Sequence, residues 1–373
     1  MMKKLLVVGL LFIGSLAFAN MHFEKNAKCS SCHPAIYEEY MGSQHGKATI
    51  YKDKLHGAVY DKHPQKNKLE KYRCAKCHTP TADNLSELLT PHNGVIPDPK
   101  NETQNEAVAC AYCHRIEDVK PGKAMSKNII SKDPLSYFSN KDKPGSSPFH
   151  KITTKKDIFK DGKMCMGCHT RKANKKGFDV CATDATNMTD QKNCISCHMP
   201  QVDGSSSVMS SGKKHAFHGF PGIHGDLSLL SKYVTLDLTN EAKKFMVTIN
   251  HDVSHPSSLH PMRMSKLLVS VDRDGNITKM KTQKMFKVIG ANGKPSPMPT
   301  PPWLATQIIT ESRIMADSKR DYAYDFALKK GDKVTVKFGH LLMKEKVAKK
   351  FKLEDNEEAT KFRVLTEKTF TIE

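Results

Sequence analysis

Past residue 19 the chain offers no apolar run near the roughly 20 residues that cross a bilayer, so no later membrane span is expected. Apolar material is scarce throughout. Hydrophobic residues make up 38% of the 373 and aromatics 7%, with one tryptophan, Trp303. Acidic side chains are short as well, 39 against 59 Lys and Arg, for a formal charge of +20. No fixed 20–50-residue period recurs, which excludes a solenoid. Cysteine outside one spacing is almost absent: ten of eleven fall into five Cys-x-x-Cys pairs, and histidine follows every pair.

The start, MMKKLLVVGLLFIGSLAFAN, has Lys3 and Lys4, an apolar stretch Leu5 to Ala19, and Ala17-Phe18-Ala19 as a small-residue cleavage site. This reads as a secretory signal peptide over 1–19. The mature chain is then expected in the periplasm. An exported chain with many cysteines ordinarily forms disulfides, but the spacing argues for another chemistry. Cys-x-x-Cys-His is the attachment signature of c-type haem. The two thiols add to the haem vinyl groups, and the histidine reaches the iron.

The five motifs are Cys29-Cys32-His33, Cys74-Cys77-His78, Cys110-Cys113-His114, Cys165-Cys168-His169 and Cys194-Cys197-His198. Five haem c groups are expected, with His33, His78, His114, His169 and His198 as proximal ligands. First cysteines are 45, 36, 55 and 29 residues apart. So short an allotment cannot build a separate core around each cofactor, so the macrocycles themselves would fill the interior. Zinc sites do not require a histidine after every pair. The lysines are expected to neutralise haem propionates, or to attract an acidic redox partner or a small inorganic anion. A nucleic-acid partner is not expected.

A second axial histidine makes a haem an electron carrier, and an open position allows small-molecule chemistry. Thirteen histidines remain after the proximal five. Candidate distal ligands are His45, His150, His215, His255, His260 and His63. His218 and His224 lie close to His215. His22, His56 and His92 are weaker candidates, and His340 falls in a strand pattern. Cys181 has no histidine behind it. It is a buried small hydrophobe, an intermolecular disulfide partner or a haem ligand.

The fold class expected is α+β in two domains. A mainly helical and loop-rich multihaem domain with little regular structure spans 20–228, and an antiparallel β-sandwich, immunoglobulin-like, spans 229–373. Pro34 opens a helix that Gly42 ends, and Asn105 is placed to cap one running from Glu106 to His114. Beyond 230, period-two alternation marks strands at Phe245-Val247-Ile249 and Leu267-Val269-Val271, with a hairpin turn at Asp274-Gly275. Further strands are read at Tyr322 to Leu328, Val334 to Phe338 and Phe370 to Ile372.

The chain resembles the multihaem c-type cytochromes related to hydroxylamine oxidoreductase and its tetrahaem acceptor cytochrome. The resemblance rests on Cys29-Ser30-Ser31-Cys32-His33-Pro34, Tyr37, the stretch Ser43 to Ala48, and Cys194 to Pro200 followed by His215-Ala216-Phe217. It implies axial roles for His45, His215 and His150. The stretch His255 to Arg263 resembles the start of a β domain appended to some of these cytochromes, and His260 rivals His255 there. Five motifs stand where the hydroxylamine oxidoreductases have eight, and no CxxCK marks a pentahaem nitrite reductase. Two functions are expected to compete. One is electron transfer between a quinol-oxidising membrane cytochrome and a terminal reductase, or from an oxidase to an acceptor. The other is reduction or oxidation of a small nitrogen or sulfur species at one open haem.

Overall fold

A computed structural model describes residues 22–64, 72–90, 94–140, 145–154, 156–183, 185, 187–293 and 296–373. Residues 1–19, read above as a signal peptide, and His92 lie outside the described residues.

Residues 22 to about 220 form short helices joined by loops. Asn26–Ser30 and Pro34–Gly42 flank the first motif. Pro34 sits in the first turn, where its missing N–H costs nothing. Lys54–Lys62 starts at Asp53, whose carboxylate accepts from the Leu55 and His56 N–H groups. Each of the other four attachment motifs makes its own single turn: Ala75–His78, Cys110–Cys113, Met166–His169 and Cys194–His198. The last is held by a capping box. The Asn193 side chain accepts from Ile195 and Ser196 N–H, and the Ser196 hydroxyl accepts from Asn193 N–H.

This part holds more strand than its composition suggests. Ile116–Lys120 pairs with Lys127–Ile130, Lys172–Ala173 with Asp179–Cys181, and Gln201–Asp203 with Lys214–Ala216, all antiparallel. Ser136–Ser139 runs parallel to Lys151–Thr154. These small ladders satisfy backbone groups where so few residues separate the motifs. Asn105 does not cap a helix. It ends the turn Thr103–Asn105, and its amide donates to the Asp98 and Asn101 carbonyls, so the third motif's helix begins only at Cys110.

Beyond 230 two antiparallel sheets dominate. One orders Val234–Asn240, Phe245–His251 and Ser318–Tyr324. The other orders Asn276–Lys279, Met264–Arg273, Lys333–Leu341 and Arg363–Thr371, with Gln283–Met285 also paired to Met264–Arg273. The inner faces follow the period-two pattern. Phe245, Val247 and Ile249 from the first, and Leu267, Val269, Val271, Val334, Val336 and Phe338 from the second, share one buried cluster. Asp274 and Gly275, both at positive φ, turn the hairpin. The strand from Ser318 ends at Tyr324 and does not reach Leu328, although Phe326 and Leu328 still pack on the core.

Two smaller clusters tie the parts together. Leu55 and Val59 pack with Leu342, Met343 and Ala348. Phe178 and Val180 pack with Ile289 and Ala305. Between the parts lies a cavity of about 2470 Å³.

Candidate haem sites

The ten motif cysteines and the five histidines that follow them all line this one cavity. Its volume exceeds the roughly 300–1,000 Å³ of a pocket for one small ligand. All eleven cysteines are free thiols.

Four motif histidines are oriented alike. His33 donates from Nδ1 to the Ser206 carbonyl at 2.6 Å, His78 to Ala48 at 3.0 Å, His114 to Phe138 at 2.9 Å and His198 to Pro221 at 2.7 Å. A backbone acceptor at Nδ1 fixes the tautomer and leaves Nε2 to bind metal. Burial pulls His78 and His169 down to about 3. It also lowers His114 and His198. The imidazoles are therefore held neutral, the form that coordinates.

A second set of rings faces the first. Two imidazoles on opposite sides of one metal, each nitrogen about 2 Å from it, have centroids roughly 6 to 6.5 Å apart. His33 and His150 lie 6.4 Å apart with planes 26° from parallel. His114 and His218 lie 6.2 Å apart at 23°, and His198 and His255 6.3 Å apart at 15°. His169 and His45 are 5.9 Å apart at 83°. Burial lowers His45 and His255 to about 4 and His218 to about 3. The donor set fits haem c: two thiols and one imidazole per motif, the imidazole tautomer-fixed in four, with a facing imidazole at metal-spanning distance in four of the five.

The second motif differs. His56 is the ring nearest His78, but their centroids are 4.1 Å apart, too close to hold a metal between them. Both His56 nitrogens are engaged, Nδ1 donating to the Ala48 carbonyl at 2.9 Å and Nε2 lying 3.3 Å from the Tyr72 hydroxyl. Among the described residues no imidazole faces His78 at the spacing of the other four.

The structure brings His45, His150 and His255 opposite motif histidines and places His215, His260 and His63 otherwise. His215 is held at both nitrogens, by the Gly204 carbonyl at 2.9 Å and by Glu39 at 2.8 Å. Burial works against its charge, but the carbonyl and the carboxylate outweigh burial and raise its pKa. Glu39 also accepts from the His218 N–H at 2.8 Å, so the salt bridge sets the backbone of the residue that does face a motif ring. His260 accepts from Met262 N–H, and His63 meets Trp303 edge-on at 4.8 Å. The sequence signal for His218 was only its place in His215-Ala216-Phe217-His218, three residues from the favoured candidate.

Thiols from different motifs meet in space. Cys29 and Cys110, Cys77 and Cys168, and Cys165 and Cys194 lie close enough to shift each other's titration. Cys113 lies close enough to Cys165 and Cys168 to raise their pKa values. The first attachment site therefore adjoins the third, the third the fourth, and the fourth both the second and the fifth. This spatial order is not the order of the chain.

Residues 28–115 match the family model described as cytochrome c554 and c-prime. Over 95% of its length the chain resembles the crystal structure of a penta-heme cytochrome c552 from Thermochromatium tepidum, covering 100% of that chain at a TM-score of 0.71 and 19% identity. Beta-glucosidase 3B from Thermotoga neapolitana overlaps 37% of this chain and 15% of its own at a TM-score of 0.16 and 9% identity, too low to carry weight. No curated protein matches in sequence. Five haem-attachment motifs on one cavity, in this fold, define a multihaem c-type cytochrome. Among the described residues no helix is long and apolar enough to cross a membrane.

Proposed function

We propose that the protein is a periplasmic electron carrier holding five haem c groups, with His150, His218, His45 and His255 as distal ligands opposite His33, His114, His169 and His198. A c-type haem supplies a one-electron iron couple when bound. The chain's own contribution is to fix axial nitrogens and exclude water. Backbone carbonyls lock four of the five proximal rings, and burial holds both rings neutral in the His114–His218, His169–His45 and His198–His255 pairs. The observation that carries this reading is the set of four facing ring pairs at 5.9 to 6.4 Å. The contacts between motif thiols support a relay from the first site to the third and fourth, branching to the second and fifth. Redox protein partners, a quinol-oxidising membrane cytochrome or a terminal reductase, would dock near its ends.

The two parts act as domains, 20–228 and 229–373 after a leader at 1–19. The shared core of the two C-terminal sheets supports an immunoglobulin-like sandwich for the second. That domain is more than an appendage, since it supplies His255 to the fifth site.

A second reading is favoured by one observation: among the described residues no imidazole faces His78 at the spacing of the other four pairs. An iron there with an open position would reduce or oxidise a small nitrogen or sulfur species. Intact-mass analysis of the exported protein together with a coulometric titration tests the carrier reading. Five covalent haems and five electrons taken up reversibly per chain are expected. A smaller number of either defeats it.

A further inference from the structure

The fifth site takes its two facing rings from different parts of the chain. His198 follows the Cys194-Cys197 pair, and His255 lies just beyond the Phe245–His251 strand. Lys192 bridges the two parts. Its Nζ donates to Asp252 and to Asp317, each at 2.6 Å. On the motif side Lys192 closes a tight turn with Thr189, the backbone N–H of each donating to the carbonyl of the other. Asn193, next in the chain, caps the Cys194–His198 turn. On the β side His251 and Ser318 pair across adjacent strands, which sets Asp252 and Asp317 side by side at the strand ends. The Asp317 N–H donates to the Val253 carbonyl at 3.0 Å, two residues before His255. The Ser257 N–H donates to the Ile314 carbonyl at 2.9 Å, two residues after it. The loop carrying His255 is thus held on both sides by 314–317, and Lys192 holds that segment to the motif.

An isolated surface ion pair contributes little, and this one differs in three ways. The Lys192 and Asp317 side chains are only 19% and 21% exposed. Asp317 also accepts from the Asn187 amide at 2.9 Å, a second link between the same two parts. Burial works against the Asp317 charge, but Lys192 and Asn187 outweigh it and lower its pKa. Asn187 and Asp317 both lie at positive φ, 52° and 47°, a region costly to non-glycine residues that persists where surrounding contacts enforce it. Every contact in the bridge joins one protein group to another.

We infer that Lys192 is a positioning residue for the fifth haem: by holding Asp252 and Asp317 it keeps His255 opposite His198. This rests on the reading in which His255 is the distal ligand there. The lysine acts through the loop from Asp252 to Ser258 and not on the iron.

The test is the rate of cyanide uptake by the oxidised five-haem protein, which at a closed iron waits for the distal imidazole to leave. His255→Ala identifies the fifth iron by the phase it makes fast. Lys192→Gln should speed that phase roughly tenfold or more over wild type, since two charge-assisted bonds are lost, and leave the other phases unchanged. Lys192→Arg should stay near the wild-type rate. Lys160→Gln, whose partner Asp190 belongs to the same part of the chain, should change nothing. In a His255→Ala background Lys192→Gln should add no further change. If Lys192→Gln loads fewer than five haems, Asp317→Asn gives the same reading, since it removes the charge, keeps the backbone bond to Val253 and tolerates positive φ. A wild-type rate in five-haem Lys192→Gln or Asp317→Asn overturns the inference. So does an equal acceleration in Lys192→Arg, or one at an iron other than the one that His255→Ala opens. If His255→Ala itself makes no phase fast, the ligand reading falls and takes the inference with it. If it does and Lys192→Gln does not, the inference falls alone.

Discussion

His198 and His255 stand ring to ring at 6.3 Å, 15° from parallel, one beside the Cys194-Cys197 pair and the other just beyond the Phe245–His251 strand. The C-terminal sheets thus reach a site that the N-terminal part attaches. His255→Ala should leave haem content at five, because Cys194 and Cys197 still hold the group. About one quarter of the low-spin near-infrared dichroism should convert to a high-spin band. An unchanged spectrum would place the ligand elsewhere, with His260 and His251 the next to vary.

The His215–Glu39 bridge makes stability depend on pH in a set direction. His215 has its folded pKa raised, so its contribution is fully present below the ordinary histidine value of about 6.5 and is lost as pH rises through the raised value. Glu39→Gln should cost about 2–3 kcal/mol near pH 6, since it removes a charged acceptor from both His215 and the His218 N–H. Thermal melts of the two proteins should draw closer as pH rises through the raised His215 pKa, leaving only the smaller difference from the His218 N–H bond. A gap that widened with pH would contradict the assignment.

Asn193→Ala should lower stability by about 1 kcal/mol, by deleting both cap bonds of the Cys194–His198 turn. Ser196→Ala removes only the reciprocal bond and should cost less. Melting temperatures at fixed haem content check the order.

The attachment sites were legible because their chemistry is local, with two thiols and a histidine within five residues. Alternation likewise gave Phe245–His251, Met264–Arg273 and Lys333–Leu341, where one face is buried. Distal partners are a tertiary matter. His218 faces His114 while Glu39, 176 residues before His215, occupies the ring three places earlier. The strand Val234–Asn240 escaped notice because only Val234 and Leu236 are buried in it. The adjacency of the first motif to the third, and of the fourth to the second and fifth, depends on thiols brought together from distant segments.

If the His78 site is open, carbon monoxide should bind one iron in five of the reduced wild-type protein and shift that fraction of the Soret band. His56→Ala should leave the fraction unchanged, because the ring at 4.1 Å is a neighbour of His78 and not its partner across a metal. Loss of binding in that variant would show that His56 shapes the site directly.

The central claim, four haems closed by facing imidazoles and one left open, is read most directly by quantitative electron paramagnetic resonance of the oxidised wild-type protein. Spin integration should give four low-spin centres and one high-spin centre per chain. Three should be of the near-parallel type, and one, at His45 and His169, of the near-perpendicular type that the 83° ring angle implies. Five low-spin centres, or more than one high-spin centre in protein with five haems, would contradict it.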